Sequence, residues 1–239
     1  MIARAATPKY IWLHGFASSP ASSKGRYVQS RLAERGALLA LPDLNQPSFR
    51  GLTVTRGLSQ IDALVDAPST GQESGQQREP AQVVLFGSSL GGYTAAAWAA
   101  AAKERCAALV LLAPAFALGQ RWTLRMKPED VARWRSEGAL EFDHYAWGRK
   151  ELLGSEFLED AERREEYPLP TAPTLVLQGL RDEVVEPDLA REFTRRMEAA
   201  GRSVKLVMLD EGHELNLDLP GLWRHIEEFL APWLGTREQ

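Results

Sequence analysis

Residues 83–93 have the sequence Val83-Val84-Leu85-Phe86-Gly87-Ser88-Ser89-Leu90-Gly91-Gly92-Tyr93, and an alanine-rich run follows from Thr94 to Ala102. Four consecutive bulky apolar residues predict a strand that is buried on both faces, and the alanine run predicts a helix packed closely against it. Between them lies Gly-x-Ser-x-Gly, centred on Ser89. In this setting the motif indicates a nucleophile elbow, a sharp strand-to-helix turn that exposes the serine Oγ above a sheet.

Further apolar runs alternate with stretches of helical periodicity along the chain. This alternation implies right-handed crossovers and a parallel sheet with both faces covered. The predicted fold class is therefore α/β, with a mainly parallel sheet of about six strands flanked by helices. The predicted strands are 10–13, 37–41, 83–86, 107–113, 174–177 and 204–209, and the predicted helices are 24–35, 52–65, 94–102, 187–200 and 222–230.

Length and composition limit the classes of protein that fit. The chain has 239 residues, enough for one sizeable domain, so we expect a single domain over 1–239. A net charge of −4 with mixed signs argues against nucleic acid or an anionic membrane as the main partner. The apolar run that ends at Leu13 is too short for a signal-peptide core or a membrane span. The single cysteine, Cys106, excludes an internal disulfide, so we expect a cytoplasmic protein in which Cys106 has a packing role.

Residues 115–170 interrupt the alternation. The segment is rich in charge, and we expect a helical cap inserted over the carboxyl edge of the sheet, where open α/β sheets bind ligands. Its large aromatic residues could line a substrate pocket or pack the insertion onto the body, and both interpretations stay open. These residues are Trp122, Trp134, Tyr145 and Trp147.

A serine hydroxyl is a poor nucleophile until a base removes its proton, so Ser89 requires a histidine. The chain has four histidines. His213 follows the predicted last strand directly, and its loop should therefore emerge at the same sheet edge as the elbow. His14 ends the first strand, His144 lies in the insertion, and His225 lies in the terminal helix.

The acid that orients the histidine should lie between serine and histidine and should also follow a strand. Asp182 meets both conditions, because it comes shortly after the strand at 174–177. Glu183 and Asp210 are competing candidates, and Asp182 could instead be a turn or cap residue. The predicted catalytic residues are Ser89, Asp182 and His213.

Lys24, which follows the serine-rich loop after the first strand, and the glycines of this region suggest a phosphate-binding loop. The required sequence Gly-x-x-x-x-Gly-Lys-Ser/Thr is absent, because Lys24 is not preceded by glycine. We therefore do not expect a nucleotide at this position.

The whole set of motifs resembles the α/β-hydrolase superfamily, and more closely the YqiA-like bacterial esterases. The resemblance implies a triad of Ser89, Asp182 and His213, and an oxyanion hole formed by the backbone N–H groups of Phe16 and Leu90. It also implies that His14 serves loop geometry. The motifs that carry it are Leu13-His14-Gly15-Phe16, Ser18-Ser19-Pro20, Ser23-Lys24, the elbow at 87–93, Asp182-Glu183-Val184 and Gly212-His213.

The expected activity is that of a serine esterase, which cleaves small or medium carboxylic esters through an acyl-enzyme intermediate. The expected partner is a small-molecule ester substrate, and neither a metal nor an organic cofactor is expected. A thioesterase or peptidase with the same triad is an alternative. A non-catalytic binding protein of the same fold is another.

Overall fold

The structure is a computed structural model that describes residues 8–68 and 82–234. Six of the strands in these ranges form one parallel sheet in the order β2-β1-β3-β4-β7-β8, and β5 and β6 form an antiparallel hairpin. The expected α/β fold is confirmed. The strands are β1 (Lys9–Leu13), β2 (Leu39–Ala40), β3 (Val83–Ser88), β4 (Cys106–Leu112), β5 (Ala139–His144), β6 (Arg149–Gly154), β7 (Thr174–Gly179) and β8 (Val204–Leu209).

Helices cover both faces of the sheet. Helices α1 and α8 share one hydrophobic core with one face, and α2, α3 and α7 share a second core with the other. The helices are α1 (Ser23–Ala33), α2 (Val54–Asp66), α3 (Leu90–Ala102), α4 (Leu118–Arg125), α5 (Pro128–Glu137), α6 (Glu156–Glu162), α7 (Pro187–Ala199) and α8 (Leu219–Leu230).

Strand β3 shows why the central apolar run determines this arrangement. Val84 and Phe86 face the core with α1 and α8, whereas Val83 and Leu85 face the opposite core. All four side chains are fully buried, and each contributes roughly 1.5–3 kcal/mol through burial. The small side chains of α3 let this helix approach β3 and β4 closely.

The segment 115–170, called the cap below, differs from the sequence expectation in one respect. It contains helices α4, α5 and α6, but also the β5–β6 hairpin, so the prediction of a purely helical insertion without strands is wrong. Leu140 and Phe142 alternate along β5 and pack against the core, while the intervening Glu141 and Asp143 are exposed. Asp143 and Lys150 are cross-strand partners and form an ion pair at 3.0 Å. Charges of this kind at the exposed positions obscured the period-two pattern.

Specific hydrogen bonds attach the cap to the body. The Asp160 carboxylate accepts the N–H and the hydroxyl of Thr55 at 2.8 and 2.6 Å. The N–H of Ala146, in the hairpin turn, donates to the carbonyl of Ala17 at 3.1 Å. The cap is therefore joined to the loop that follows β1, close to the site described next.

Candidate active site

Ser89 occupies a strained turn between β3 and α3. Its φ and ψ are +53° and −116°, a combination that non-glycine residues rarely adopt. A Cβ at Gly87 would lie 2.3 Å from the carbonyl oxygen of Gly91, and one at Gly91 would lie 2.2 Å from that of Leu13. Only glycine fits at these two positions, which explains the spacing of the motif around Ser89.

Asp182 and His213 meet at the carboxyl ends of β7 and β8. The Asp182 Oδ2 lies 2.8 Å from Nδ1 of His213. The side chain of Asp182 is fully buried, and that of His213 is 15% exposed. The other acidic candidates lie elsewhere: Asp210 accepts a hydrogen bond from Arg181 on the surface, and Glu183 is exposed.

The protein surrounds the Asp182 carboxylate with donors. Oδ1 accepts the backbone N–H groups of Val184 and Val185 at 2.9 and 2.7 Å, and Oδ2 also accepts Nε2 of Gln178 at 2.9 Å. Burial alone would raise the pKa of Asp182, but the hydrogen bonds from His213, Val185 and Gln178 hold this pKa below its ordinary value. Asp182 is therefore an ionised acceptor. Nδ1 of His213 therefore donates the hydrogen bond to Asp182, and in the tautomer that this bond selects Nε2 is the nitrogen without a proton.

The β1 loop lies directly beside the elbow. A Cβ at Gly15 would lie 3.4 Å from Cβ of Ser89. The N–H of the next residue, Phe16, and the N–H of Leu90 at the start of α3 have no acceptor among the described residues. Free N–H groups beside a nucleophile can stabilise the negative charge that develops on a carbonyl oxygen.

His14 fixes the peptide that carries the Phe16 N–H. The Leu44 N–H donates to Nε2 of His14 at 2.9 Å, so Nε2 is unprotonated and Nδ1 donates to the Gly15 carbonyl at 2.8 Å. Burial lowers the pKa of His14, even though Gly15 and Asp43 act in the opposite direction. Because the peptide unit is planar, holding the Gly15 carbonyl also sets the direction of the Phe16 N–H.

Ser89 and His213 line a cavity of about 980 Å³ between the body and the cap. One part of its wall is apolar and comes mainly from Phe16 and the cap. Another part is polar and comes from the serines at positions 18, 19, 22 and 23 together with Lys24. The apolar side chains include Leu118, Trp122, Met126, Phe142 and Phe157.

The four cap aromatics that the sequence singled out occupy two different environments. Trp122 and Tyr145 line the cavity. Trp134 is fully buried and donates its indole N–H to the Leu153 carbonyl at 2.8 Å, and Trp147 stacks on His144 with ring centroids 3.7 Å apart. Trp134 and Trp147 are not among the lining residues, so packing accounts for them.

Sequence reasoning missed Gln178, which is fully buried and fixes the acid from within β7. A buried amide at the end of an apolar strand, four residues before the acid, is the signal that could have identified it. It also missed Phe142 and Phe157, because neither stands in a recognisable motif.

Known structures with a similar fold span nearly all of the chain. Est1E from Butyrivibrio proteoclasticus, in a structure with bound ferulic acid, is 22% identical over 95% of this chain and 89% of its own, with a TM-score of 0.74. A putative hydrolase from Agrobacterium vitis S4 is 21% identical over 95% and 89% of the two chains, with a TM-score of 0.75. A monoacylglycerol lipase from Paleococcus ferrophilus is 19% identical over 95% and 96%, with a TM-score of 0.63. At these identities the similarity establishes the fold.

No curated protein matches the sequence significantly. Within residues 8–68 and 82–234, no cluster of His, Cys, Asp or Glu has the arrangement of a metal site, and no helix is long and apolar enough to cross a membrane. Residues 9–231 match an uncharacterised protein family, UPF0227. The chain is therefore a member of UPF0227 and has the α/β-hydrolase fold.

Proposed function

We propose that this protein is a serine hydrolase that cleaves carboxylic esters of small or medium size through an acyl-enzyme intermediate. The observation that carries the proposal is the 2.8 Å contact between Asp182 Oδ2 and His213 Nδ1, with His213 lining the same cavity as Ser89 on its strained elbow. A histidine held by a buried acid, with a half-buried serine in the same cavity as the histidine, supplies the components of an activated nucleophile.

In the first half-reaction, Oγ of Ser89 attacks the ester carbonyl carbon while Nε2 of His213 takes the hydroxyl proton. The new C–O bond moves the carbonyl π electrons onto the oxygen, which the N–H groups of Phe16 and Leu90 stabilise. The intermediate then collapses, the bond to the alcohol oxygen breaks, and His213 returns its proton to that oxygen. Asp182 keeps Nδ1 protonated throughout and stabilises the imidazolium.

In the second half-reaction, water takes the place of the alcohol. His213 removes a proton from water, the hydroxide oxygen attacks the acyl carbon, and the bond to Ser89 breaks as its Oγ regains the proton. The products are a carboxylic acid and free enzyme. No step requires a metal or an organic cofactor.

The cavity supports an uncharged ester with an apolar portion. Its volume of about 980 Å³ suits a small or medium ligand, and the partly buried rings of Phe16, Trp122 and Phe142 give the cavity that contains Ser89 an apolar surface. The charged residues at its edge do not indicate an anionic substrate: Arg121 and Arg125 bind Glu186, and Lys150 binds Asp143.

The proposal is tested with a substrate panel. Purified wild type and Ser89→Ala are assayed with p-nitrophenyl esters of increasing acyl length, a feruloyl ester, an acyl thioester and a peptide anilide. We expect wild type to turn over esters fastest, and Ser89→Ala to lose on the order of 10⁶-fold in kcat while staying folded. Full ester turnover by Ser89→Ala would refute the mechanism, and faster cleavage of the thioester or anilide would reassign the substrate class.

A further inference from the structure

Lys24 is a buried cation to which the proposed reaction gives no role. It lies in the first turn of α1, is 5% exposed and lines the catalytic cavity. A buried ammonium group costs several kcal/mol unless it is paired, so its partners identify its role. Nζ of Lys24 donates a hydrogen bond to the backbone carbonyl of Glu214, and it lies 3.6 Å from the Glu214 Oε2.

Glu214 directly follows His213, so this hydrogen bond attaches to the loop that carries the proposed base. The loop starts at β8, the edge strand of the sheet. Ser89 follows β3, which is separated from β8 by β4 and β7. The His213 loop must therefore extend back across two strands to reach the nucleophile. Lys24 holds the loop from the opposite side, because α1 follows β1, which lies on the other flank of β3.

The carboxylates around Lys24 favour its charged form. Burial lowers the pKa of Lys24, whereas Glu214, Glu211 and Asp182 act in the opposite direction. Glu211 is itself buried, and its carboxylate accepts the backbone N–H groups of Leu217 and Asp218. Lys24 thus joins a network that fixes both ends of the 211–218 loop, with the Glu214 carbonyl near its centre.

We infer that Lys24 is a positioning residue for His213, which it holds over Ser89 through the Glu214 carbonyl. The inference rests on the proposed serine-hydrolase function. Lys24 forms and breaks no bond in the reaction. Lys24 acts on the distance and orientation of the His213 imidazole relative to Ser89. A displacement of the imidazole by about 1 Å would cost roughly 10²-fold in rate.

The first test replaces Lys24 by methionine, which has a similar length but neither charge nor donor. Steady-state kinetics with p-nitrophenyl butyrate are compared with thermal unfolding of the same samples. We expect Lys24→Met to lower kcat by roughly 10- to 100-fold with KM changed by less than about threefold, because a misplaced base weakens the transition state and not substrate binding. Lys205→Met is the matched control. Lys205 lies on β8 and pairs with the exposed Glu228 at 3.2 Å. The kcat of Lys205→Met should therefore equal that of wild type.

Two further variants separate the backbone tether from a side-chain ion pair. Lys24→Arg keeps the charge and donors and should retain more kcat than Lys24→Met. Glu214→Ala removes the carboxylate but keeps the carbonyl, so kcat should stay within about threefold of wild type. The inference would be overturned by a Lys24→Met variant that keeps the wild-type kcat or changes only KM. It would also be overturned if Glu214→Ala lowered kcat as much as Lys24→Met does. A wild-type enzyme without hydrolase activity would instead refute the proposed function and the inference with it.

Discussion

The ring centroids of Phe16 and Trp122 lie 5.0 Å apart, in an edge-to-face arrangement with an interplanar angle of 73°. Phe16 carries one of the two proposed oxyanion N–H groups, and its ring also packs against the cap residues Phe142 and Phe157 at 5.8 and 6.0 Å. The cap therefore does more than enclose the cavity. Its aromatic side chains form one packed unit with the loop beside Ser89.

The first prediction concerns the acyl preference. Trp122→Ala and Tyr145→Ala change the cavity wall, so at least one of them should alter the ranking of short against longer acyl esters. Tyr145 is 80% exposed, and its replacement should leave thermal stability unchanged. The measurement is kcat/KM over p-nitrophenyl esters from acetate to octanoate.

Trp134→Ala and Trp147→Ala are the controls for this experiment. Trp134 is fully buried, and truncating it should cost about 3–5 kcal/mol of stability without changing the ranking. An unchanged ranking in all four variants would mean that the cap aromatics only pack and that specificity is determined elsewhere in the cavity.

The second prediction distinguishes the acids. Asp182→Asn should lower kcat by about 10⁴-fold, because an amide no longer selects the His213 tautomer with a free Nε2. Asp210→Asn should have a small effect, since the Asp210 side chain is 79% exposed and pairs with Arg181. Steady-state kinetics of the two variants give the ranking, and the reverse order would move the acid from Asp182 to Asp210.

The third prediction concerns stability in acid. His144 is 1% exposed, neither ring nitrogen has a hydrogen-bond partner among the described residues, and burial lowers its pKa below the ordinary value of 6.5. The unfolded chain therefore binds a proton more readily than the folded protein. The contribution of neutral His144 to the free energy of unfolding is complete above pH ~6.5. It is lost as the pH falls below this value, by at most about 1.4 kcal/mol per pH unit.

His144→Phe keeps a flat ring against Trp147 and Phe49 and removes the titration. Urea unfolding at pH 7.5, 6.5 and 5.5 should show a shallower loss of stability for His144→Phe than for wild type. His14, whose pKa burial also lowers, accounts for part of the loss that remains. Parallel pH curves for the two proteins would show that His144 does not contribute.

The sheet and the positions of the site residues could be predicted wherever a short stretch of sequence is by itself typical of the structure that it forms. The apolar run Val83 to Phe86 specifies a buried strand, and the alanine run of α3 specifies a helix packed closely against it. Positions 87 and 91 have room only for glycine, so the motif around Ser89 is recognisable in the sequence. The positions of Asp182 and His213 followed from one rule, that parallel strands end at a common edge.

The rest depends on contacts between distant residues. The Lys24 hydrogen bond to Glu214 joins residues 190 positions apart, and no local pattern encodes it. The β5–β6 hairpin was missed because Asp143 and Lys150 form a cross-strand pair that, in the sequence, resembles the charged face of a helix. Strand β2 has two residues instead of the predicted five, since it pairs with β1 only at Leu39 and Ala40.

The central claim is that Ser89 is an activated nucleophile, and covalent labelling tests it most directly. Wild type and Ser89→Ala are incubated with a fluorophosphonate at pH 8, and the modified residue is identified by intact mass and peptide mapping. The account predicts one phosphonyl adduct per chain, located on Ser89 and absent from Ser89→Ala. A folded wild-type protein that remains unlabelled, or one labelled at another residue, would contradict it.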